Sequence, residues 1–368
     1  MAGSTFGTVF RISTWGESHG KGIGVVIDGC PAGISLNEEM IQKYLDRRKP
    51  GQSRFTTARN EGDEVELLSG VFDGKTTGTP ISLLVHNQDQ RSIDYGQIAS
   101  CYRPGHADYT FDAKYGFRDY RGGGRSSGRE TIGRVAAGAV AAAALKELGI
   151  TVTAYTKEIG GIAVAPERFD MREREQNRLY MPDEEAARRA EELLLQKMEE
   201  ADSVGGIVEC VADGVPAGIG EPVFDKLDAN LAKALFSIGA VKGVEIGDGF
   251  LAASSFGSQN NDAFYMKEGK IAKETNHAGG ILGGMSDGSQ IVLRAAFKPT
   301  PSIAKSQKTV TINGEETDIV IKGRHDPIIV PRAVVVVEAM TAITLLDMLL
   351  LGMGSRIDRI KEFYKNKE

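Results

Sequence analysis

Two short stretches decide how this chain is organised: "DGCPAGI" at Asp28–Ile34 and "DGVPAGI" at Asp213–Ile219. They agree at six of seven positions and begin 185 residues apart, close to half of the 368-residue length. Each follows a strand-like apolar run and precedes a helical pattern, for which Ser35 and Asp225 are the predicted N-caps. Both halves then reach a glycine-punctuated strand region, a loop with His beside Arg, and a long apolar helix.

This shared order predicts an internal duplication, with one compact unit built from two halves around a pseudo-twofold axis and a site near that axis. We predict a single domain over residues 1–368, with halves at about 1–185 and 186–352 and a charged tail at 353–368. Taken alone, the alternation of strands and helices favours a parallel sheet.

Composition and charge argue against some classes of protein. The formal net charge of −6 argues against a general nucleic-acid binder, yet Cys101–Arg134 holds six Arg and one Lys against three Asp and one Glu, which predicts a local anion site. The three cysteines form no C-x-x-C pair, which suits a reducing compartment. Neither a signal pattern nor an apolar run near the 18 residues of a membrane span is evident, so we expect a soluble, cytoplasmic protein.

A glycine-rich loop, "RDYRGGGRSSGRETIGR", opens an alanine-rich helical run that extends to Gly149. Ser127 as N-cap and Glu130 at N3 fit a capping box, and the free amides together with Arg125 and Arg129 favour an anion. The loop matches neither G-x-G-x-x-G nor the P-loop, which disfavours a Rossmann site. A flexible Gly/Arg linker joined to a core helix remains open on this local pattern.

Further candidate groups lie in separate loops. His19 in "GESHG" and His106 in "RPGHAD" are flanked by turn residues, where a near-neutral pKa suits proton transfer, although each alone is more often structural. The arginines of "LDRRKPGQSRFTTAR" suit bidentate binding of phosphate or carboxylate, with a solvated basic loop as the alternative. No metal-ligand spacing occurs, so no metal site is expected. The residues predict an enzyme for a small, multiply anionic substrate, with a phosphate-bearing cofactor.

The motifs "GESHG", "DRRKPGQSR", "RPGHADYTF", "YRGGGRSSGRETIGRVAAGAVA", "NHAGGILGGMSDG", "KPTPSI" and "RHDP" occur in the order that resembles the chorismate synthase family, from about Phe6 to Leu351. The resemblance implies a carbon–oxygen lyase that removes phosphate and a C6 hydrogen from 5-enolpyruvylshikimate 3-phosphate, giving chorismate, in a trans-1,4 elimination. This is the last common step of the shikimate pathway to aromatic amino acids. Reduced FMN is implied as cofactor without net redox change. The implied fold is α+β, a β-α-β sandwich with helices between two antiparallel sheets and an internal pseudo-twofold repeat, assembled as a homotetramer.

The resemblance also implies residue roles. His19 would give a proton to the departing phosphate, His106 would act on the N1–O2 edge of the reduced flavin, and Asp326 would handle the proton at flavin N5. The implied FMN contacts are Arg125, Ser126, Ser127, Gly239, Ala240, Gly283, Lys298, Pro299, Thr300, Pro301, Ser302 and Arg324. Arg48, Arg54 and Arg134 would grip the substrate, the first two being also assigned to NADP(H). Pro301 and Gly239 depart from the family's usual Ser and Asn, which leaves only backbone contacts there.

Two other readings compete with this one. A bifunctional form would also reduce its own flavin with NADPH. An RNA-contacting role for "RGGGR" is disfavoured by the acidic net charge and by the lack of interleaved aromatic repeats.

Overall fold

A computed structural model describes residues 3–51, 55, 62–88, 99–321 and 326–365. The strands are β1 (Thr5–Phe6), β2 (Arg11–Gly16), β3 (Gly22–Asp28), β4 (Val65–Ser69), β5 (Val71–Phe72), β6 (Lys75–Thr76), β7 (Ile81–His86), β8 (Thr151–Ile159), β9 (Ile162–Ala163), β10 (Gly206–Asp213), β11 (Val241–Ile246), β12 (Phe264–Lys267), β13 (Lys270–Lys273), β14 (Ile281–Leu282), β15 (Met285–Ser286), β16 (Ile291–Phe297), β17 (Ser306–Val310) and β18 (Glu316–Val320). The helices are α1 (Glu38–Arg48), α2 (Asp108–Tyr115), α3 (Thr131–Glu147), α4 (Glu184–Glu199), α5 (Leu227–Phe236), α6 (Gly257–Asn260), α7 (Val330–Leu351) and α8 (Ile357–Lys365).

Two five-stranded antiparallel sheets form the outer layers, in the orders β1-β2-β3-β7-β4 and β9-β8-β10-β16-β11. The parallel sheet favoured by strand–helix alternation is wrong, because strands adjacent in these sheets run in opposite directions. Position by position, β2, β3, β7 and β4 correspond to β8, β10, β16 and β11, as the predicted pseudo-twofold repeat requires. Because β8 ends at Ile159, the second sheet draws on residues on both sides of the predicted boundary at 185/186.

The two heptapeptides make the same turn in each half. Thr76 Oγ1 donates to Pro31 O at 2.7 Å, and Ser286 Oγ donates to Pro216 O at 2.6 Å. The same hydroxyls accept from Ile34 N at 3.0 Å and Ile219 N at 2.9 Å. Each turn is therefore held by a hydroxyl from the hairpin beside it, at corresponding places in the two halves.

Helices α3 and α7 fill the space between the sheets. Helix α3 packs on β2, β3 and β7, while α7 packs on β8 and β10, and the two helices lie against each other. A Cβ on Gly138 would lie 2.2 Å from the Cβ of Ala339, so only glycine permits this close approach. Helices α1 and α5 flank this pair. The observed architecture is the predicted sandwich.

Helix α7 departs from the expectation that no apolar run approaches membrane-span length. By length and composition Val330–Gly354 could cross a bilayer, because its most apolar 18-residue window has a mean hydropathy of 2.2, but 83% of that window is buried inside the protein. It is the central core helix of the second half.

Two predicted caps are wrong, and the third lies one short turn ahead of its helix. Asn37 rather than Ser35 caps α1, accepting from Met40 N at 2.9 Å, and Lys226 rather than Asp225 precedes α5. Ser127 caps a short 3₁₀ turn, Gly128–Glu130, ahead of α3. The Glu130 carboxylate does not complete a capping box, because it pairs with Arg134 at 2.8 Å and accepts from Thr14 Oγ1 at 3.2 Å.

Candidate active site

His19 lies in the turn after β2, against the glycine-rich loop. Ser18 Oγ is 3.0 Å from His19 Nδ1 and donates to Gly122 O at 3.3 Å. Since that hydroxyl has one proton, the arrangement favours the His19 tautomer protonated on Nδ1. A Cβ on Gly122 would lie 2.4 Å from His19 Cε1, and Gly122 has φ +67°, so glycine is required for two reasons.

The glycine-rich loop is fixed to the first sheet by Arg125. Its guanidinium donates to Gly16 O at 3.0 Å, Thr14 O at 3.1 Å and Thr14 Oγ1 at 2.7 Å. These bonds direct the Arg125 side chain to β2, whereas Ser126 is exposed and Ser127 is half-buried. Direct contact of the loop with a cofactor is therefore best supplied by the serines and the backbone.

Behind this loop lies a buried pair of arginines that share one carboxylate. Asp63 accepts from Arg48 and lies 3.1 Å from Arg129 NH1, with side-chain exposures of 0%, 1% and 5% for the acid and the two arginines. Arg48 also donates to Gly128 O at 3.5 Å. Burial alone would raise the pKa of Asp63, but the two guanidinium groups lower it below its ordinary value. Burial lowers the pKa of Arg48 to about 10.

Asp326 adjoins the same cluster from the second half of the chain. Arg332, in the first turn of α7, donates to Asp326 Oδ2 at 2.6 Å and to the carbonyl oxygen of Arg48 at 2.9 Å. On the other side, Arg129 Nε donates to Asn87 Oδ1 at 2.9 Å, and Asn87 Nδ2 donates to Gly20 O at 2.8 Å. Charged and amide groups thus connect Asp326 with the turn that carries His19.

The remaining predicted substrate arginines are placed differently. Arg134 donates to Glu130 at 2.8 Å and to Ser237 Oγ at 2.5 Å, so its guanidinium links α3 to the end of α5. Arg129 rather than Arg134 joins Arg48 at the buried carboxylate. Arg54 and Arg324 lie outside the described residues.

His106 lies against the segment Lys298–Ser302. Its Nδ1 is 3.0 Å from Pro104 O and its Nε2 is 2.8 Å from Ser302 Oγ. A carbonyl can only accept, so Nδ1 carries the proton and Nε2 accepts from the serine. Burial, followed by the Arg103 cation, lowers the pKa of His106 to about 4. His106 is consequently neutral at pH 7 in this structure.

Two of the segments that the resemblance assigns to the cofactor, Gly239–Ala240 and Lys298–Ser302, meet near that histidine. Lys298 Nζ donates to Gly105 O at 2.7 Å, and Lys298 N donates to Ala240 O at 3.0 Å. Gly239 is exposed, and Ala240 holds φ +72°, a left-handed conformation that is unusual for a residue with a Cβ. Pro301 packs so closely on Gly105 that a Cβ there would lie 2.7 Å from the proline Cβ.

One orphan atom in this segment suits a ligand. Thr300 Oγ1 is buried and has no hydrogen-bond partner among the described residues, which is costly unless something binds it. Pro299 is exposed beside it. Gly283 lies apart from this segment, in the β14–β15 hairpin, whose bonds run to the second heptapeptide and, through Gly284 O, to Leu227 N at 2.8 Å.

Sequence reasoning missed Asp63, Asn87 and Arg332. Asp63 belongs to the acidic stretch "EGDEVE" that follows an arginine-rich one, but nothing in that pattern singles it out, because its partners are set by tertiary structure. Among the residues in the described ranges, no group of three or more His, Cys, Asp or Glu side chains could hold a metal ion.

A family model described as chorismate synthase matches residues 10–350. The chain belongs to the chorismate synthase family. Chorismate synthases from Lachnospira eligens and Lachnoclostridium phytofermentans are each 66% identical to it, over 99% of this chain and 100% of theirs. That from Methanosarcina barkeri is 56% identical, over 95% and 97%. A crystal structure of chorismate synthase superposes with a TM-score of 0.76 at 34% identity, covering 98% of both chains. Family membership makes the chain a lyase of the shikimate pathway, and these relatives' names include no reductase activity.

Proposed function

We propose that the chain converts 5-enolpyruvylshikimate 3-phosphate to chorismate by trans-1,4 elimination of phosphate, with reduced FMN as cofactor. The observation that supports this most directly is the buried Arg48–Asp63–Arg129 cluster, which is connected through Asn87 to the turn that carries His19. Two guanidinium groups against one carboxylate leave an excess positive charge at the start of α3, where the helix dipole also favours an anion. A phosphate bound there would have a histidine within the same loop system to protonate it.

The residues fit a flavin mononucleotide. Thr300 Oγ1 is buried without a hydrogen-bond partner among the described residues. The same segment bonds to His106 through Ser302, to Gly105 O through the Lys298 amine and to the left-handed Ala240 through the Lys298 amide. The backbone of Pro299 and Pro301, the exposed Ser126 with Ser127, and Gly239 would complete the contacts. Reduced FMN, when bound, supplies the electron density needed to expel phosphate from an unactivated position.

The chain's own groups manage protons and orientation. His19 would give a proton to the leaving phosphate, with Ser18 holding its ring, because protonation stabilises the charge that develops on the leaving group. His106, neutral here, would acquire a proton when an anionic ring edge lies beside it, since a nearby negative charge raises the pKa of a histidine. Asp326 would hold or accept the proton near flavin N5, oriented by Arg332.

Assembly and location belong to the same proposal. Phe224, Phe250 and Phe256 are 89%, 82% and 73% exposed, and large exposed aromatics suit burial against further copies in a homotetramer. We propose a cytoplasmic enzyme, in keeping with three free cysteines. We also propose that the chain is a single domain, with halves at 1–185 and 186–352 and a tail at 353–368.

The deciding experiment is an anaerobic assay with chemically reduced FMN and 5-enolpyruvylshikimate 3-phosphate, followed by absorbance of chorismate. We expect turnover with reduced FMN and none with oxidised FMN in air. A folded protein that forms no chorismate would overturn the assignment. Oxidation of NADPH in the presence of FMN alone would instead reveal the bifunctional form.

A further inference from the structure

Asn87 is the first residue after β7, and its side chain closes the turn that carries Ser18 and His19. The backbone bond of this turn runs from Gly20 N to Glu17 O at 3.1 Å. Asn87 Nδ2 donates to Glu17 O at 3.0 Å and to Gly20 O at 2.8 Å. One amide nitrogen therefore joins the first and the last residue of the turn, with Ser18 and His19 at its centre.

The orientation of the Asn87 amide follows from its partners. Its Oδ1 accepts from Arg129 Nε at 2.9 Å, and its nitrogen carries two hydrogens, one for each carbonyl oxygen of the turn. The opposite orientation would place the amide oxygen against two carbonyl oxygens and the amide nitrogen against an N–H donor. A carboxylate of the same shape could keep the bond to Arg129, but it could make neither of the other two.

The base of this side chain is fixed by the first sheet. Asn87 N donates to Lys21 O at 3.1 Å, which continues the ladder in which Gly22 pairs with His86. Arg129, the third partner, lies in the short 3₁₀ turn ahead of α3. The Asn87 side chain therefore ties a surface turn to a strand end and to a helix entry, both of which are more rigid than a loop.

The glycine-rich loop contacts the same turn at its centre. Ser18 Oγ donates to Gly122 O at 3.3 Å, and the space beside Gly122 is filled by the His19 ring and the Ser18 hydroxyl. The turn is thus held at its two ends by Asn87 and at its central residues by the loop. Contact at the centre alone would not prevent the ends from moving and the imidazole from moving with them.

We propose that Asn87 is a positioning residue for proton transfer: its two amide hydrogens fix the turn so that His19 stands in one place beside the glycine-rich loop. The inference rests on the proposed function, because that function makes His19 the proton donor. Without these two bonds the turn could shift relative to β7. A displacement of about 1 Å at a catalytic group costs on the order of 100-fold in rate.

The test compares Asn87→Asp and Asn87→Ser with Asn177→Asp. The first variant keeps the shape of the side chain but removes both amide donors, and the second has one O–H, which cannot serve two carbonyl oxygens. Asn177 is the matched control in the segment before α4, because its Nδ2 also donates to two carbonyl oxygens, Glu173 O and Met181 O, each at 2.8 Å. Both asparagines are half-buried.

Turnover and the Michaelis constant for 5-enolpyruvylshikimate 3-phosphate are measured anaerobically with reduced FMN. The His19 Cε1–H signal is followed by NMR in protein without cofactor or substrate. We expect turnover to fall roughly 10- to 100-fold in both Asn87 variants, with a smaller change in the Michaelis constant, and the His19 signal to shift in both. Asn177→Asp should keep wild-type turnover and an unmoved signal, although it loses the same number of hydrogen bonds.

A double-variant cycle connects the effect with His19. In a His19→Ala background, Asn87→Asp should lower turnover little further. Additive losses, an unmoved His19 signal, or wild-type turnover in folded Asn87→Asp would each overturn the proposal, and Asn87→Ser gives the same outcomes if Asn87→Asp does not fold. Equal losses of turnover per folded molecule in Asn87→Asp and Asn177→Asp would show a merely structural role. A wild type that forms no chorismate would count against the proposed function, whereas the NMR comparison would still test the positioning.

Discussion

Replacing Gly122 by alanine should disable His19 without unfolding the chain. The new Cβ would lie 2.4 Å from His19 Cε1, 2.5 Å from its Nδ1 and 2.7 Å from Ser18 Oγ, so the imidazole must move by about 1 Å to restore normal contact. A displacement of this size at a catalytic group costs on the order of 100-fold in rate, or about 2.7 kcal/mol of transition-state stabilisation. The left-handed φ of +67° adds about 1–2 kcal/mol of backbone strain to the folded state.

Gly123→Ala separates these two effects. Gly123 has φ +82°, so it shares the backbone penalty, but the nearest atom to its added Cβ is Ser127 N at 3.9 Å. The anaerobic chorismate assay and thermal unfolding are run on both variants. We expect similar losses of melting temperature, with the roughly 100-fold loss of turnover confined to Gly122→Ala. Equal turnover in the two variants would refute the view that His19 is held against this glycine.

Three further perturbations test the core and the charges. Gly138→Ala should lower the free energy of unfolding in urea by about 1–3 kcal/mol, because its Cβ would lie 2.2 Å from that of Ala339. Gly257→Ala is the control: open space surrounds that position, so its effect should be nearly neutral. The pKa of His106 is about 4 in the folded chain and 6.5 when the chain is unfolded, so the unfolded state takes up a proton first as the pH falls. The free energy of unfolding should therefore decrease by about 1–2 kcal/mol between pH 7 and 5. A His106→Asn variant with the same pH slope would contradict this. Glu338→Gln should lower the free energy of unfolding by about 3–5 kcal/mol, because this buried carboxylate binds Arg47 at 2.7 Å and Arg174 at 2.6 Å. The control is Glu39→Gln, which removes an exposed ion pair with Lys43. Equally small losses in the two variants would show that the buried contacts contribute little.

The pseudo-twofold arrangement could be predicted because the same sequence pattern occurs in both halves of the chain. The two heptapeptides, with matching elements after each, predicted the pseudo-twofold arrangement that β3 and β10 display. The direction of the strands was not available from local pattern, since alternation of strands and helices fits either sheet type. Only the family resemblance supplied it.

The site was predicted less completely, for a physical reason. Motifs located His19, His106 and the glycine-rich loop, but they gave no information on which arginines face a ligand. Arg129 and Arg134 are five residues apart, in the turn before α3 and in its first turn. Arg129 shares Asp63 with Arg48, whereas Arg134 binds Glu130 and Ser237. Such choices depend on contacts between residues distant in sequence, which periodicity does not encode.

The two halves supply loops at corresponding places, ahead of α3 and ahead of α7. Gly128 O of the first loop accepts from Arg48, and Arg332, in the first turn of α7, binds both Arg48 O and Asp326 of the second loop. One carries glycines and arginines, and the other carries Asp326. In a symmetric pair of separate half-length chains, every substitution in one loop would appear in the other. Joining the halves in one gene removes that constraint, so a single covalent chain can place an acid opposite a cationic loop across its own pseudo-axis.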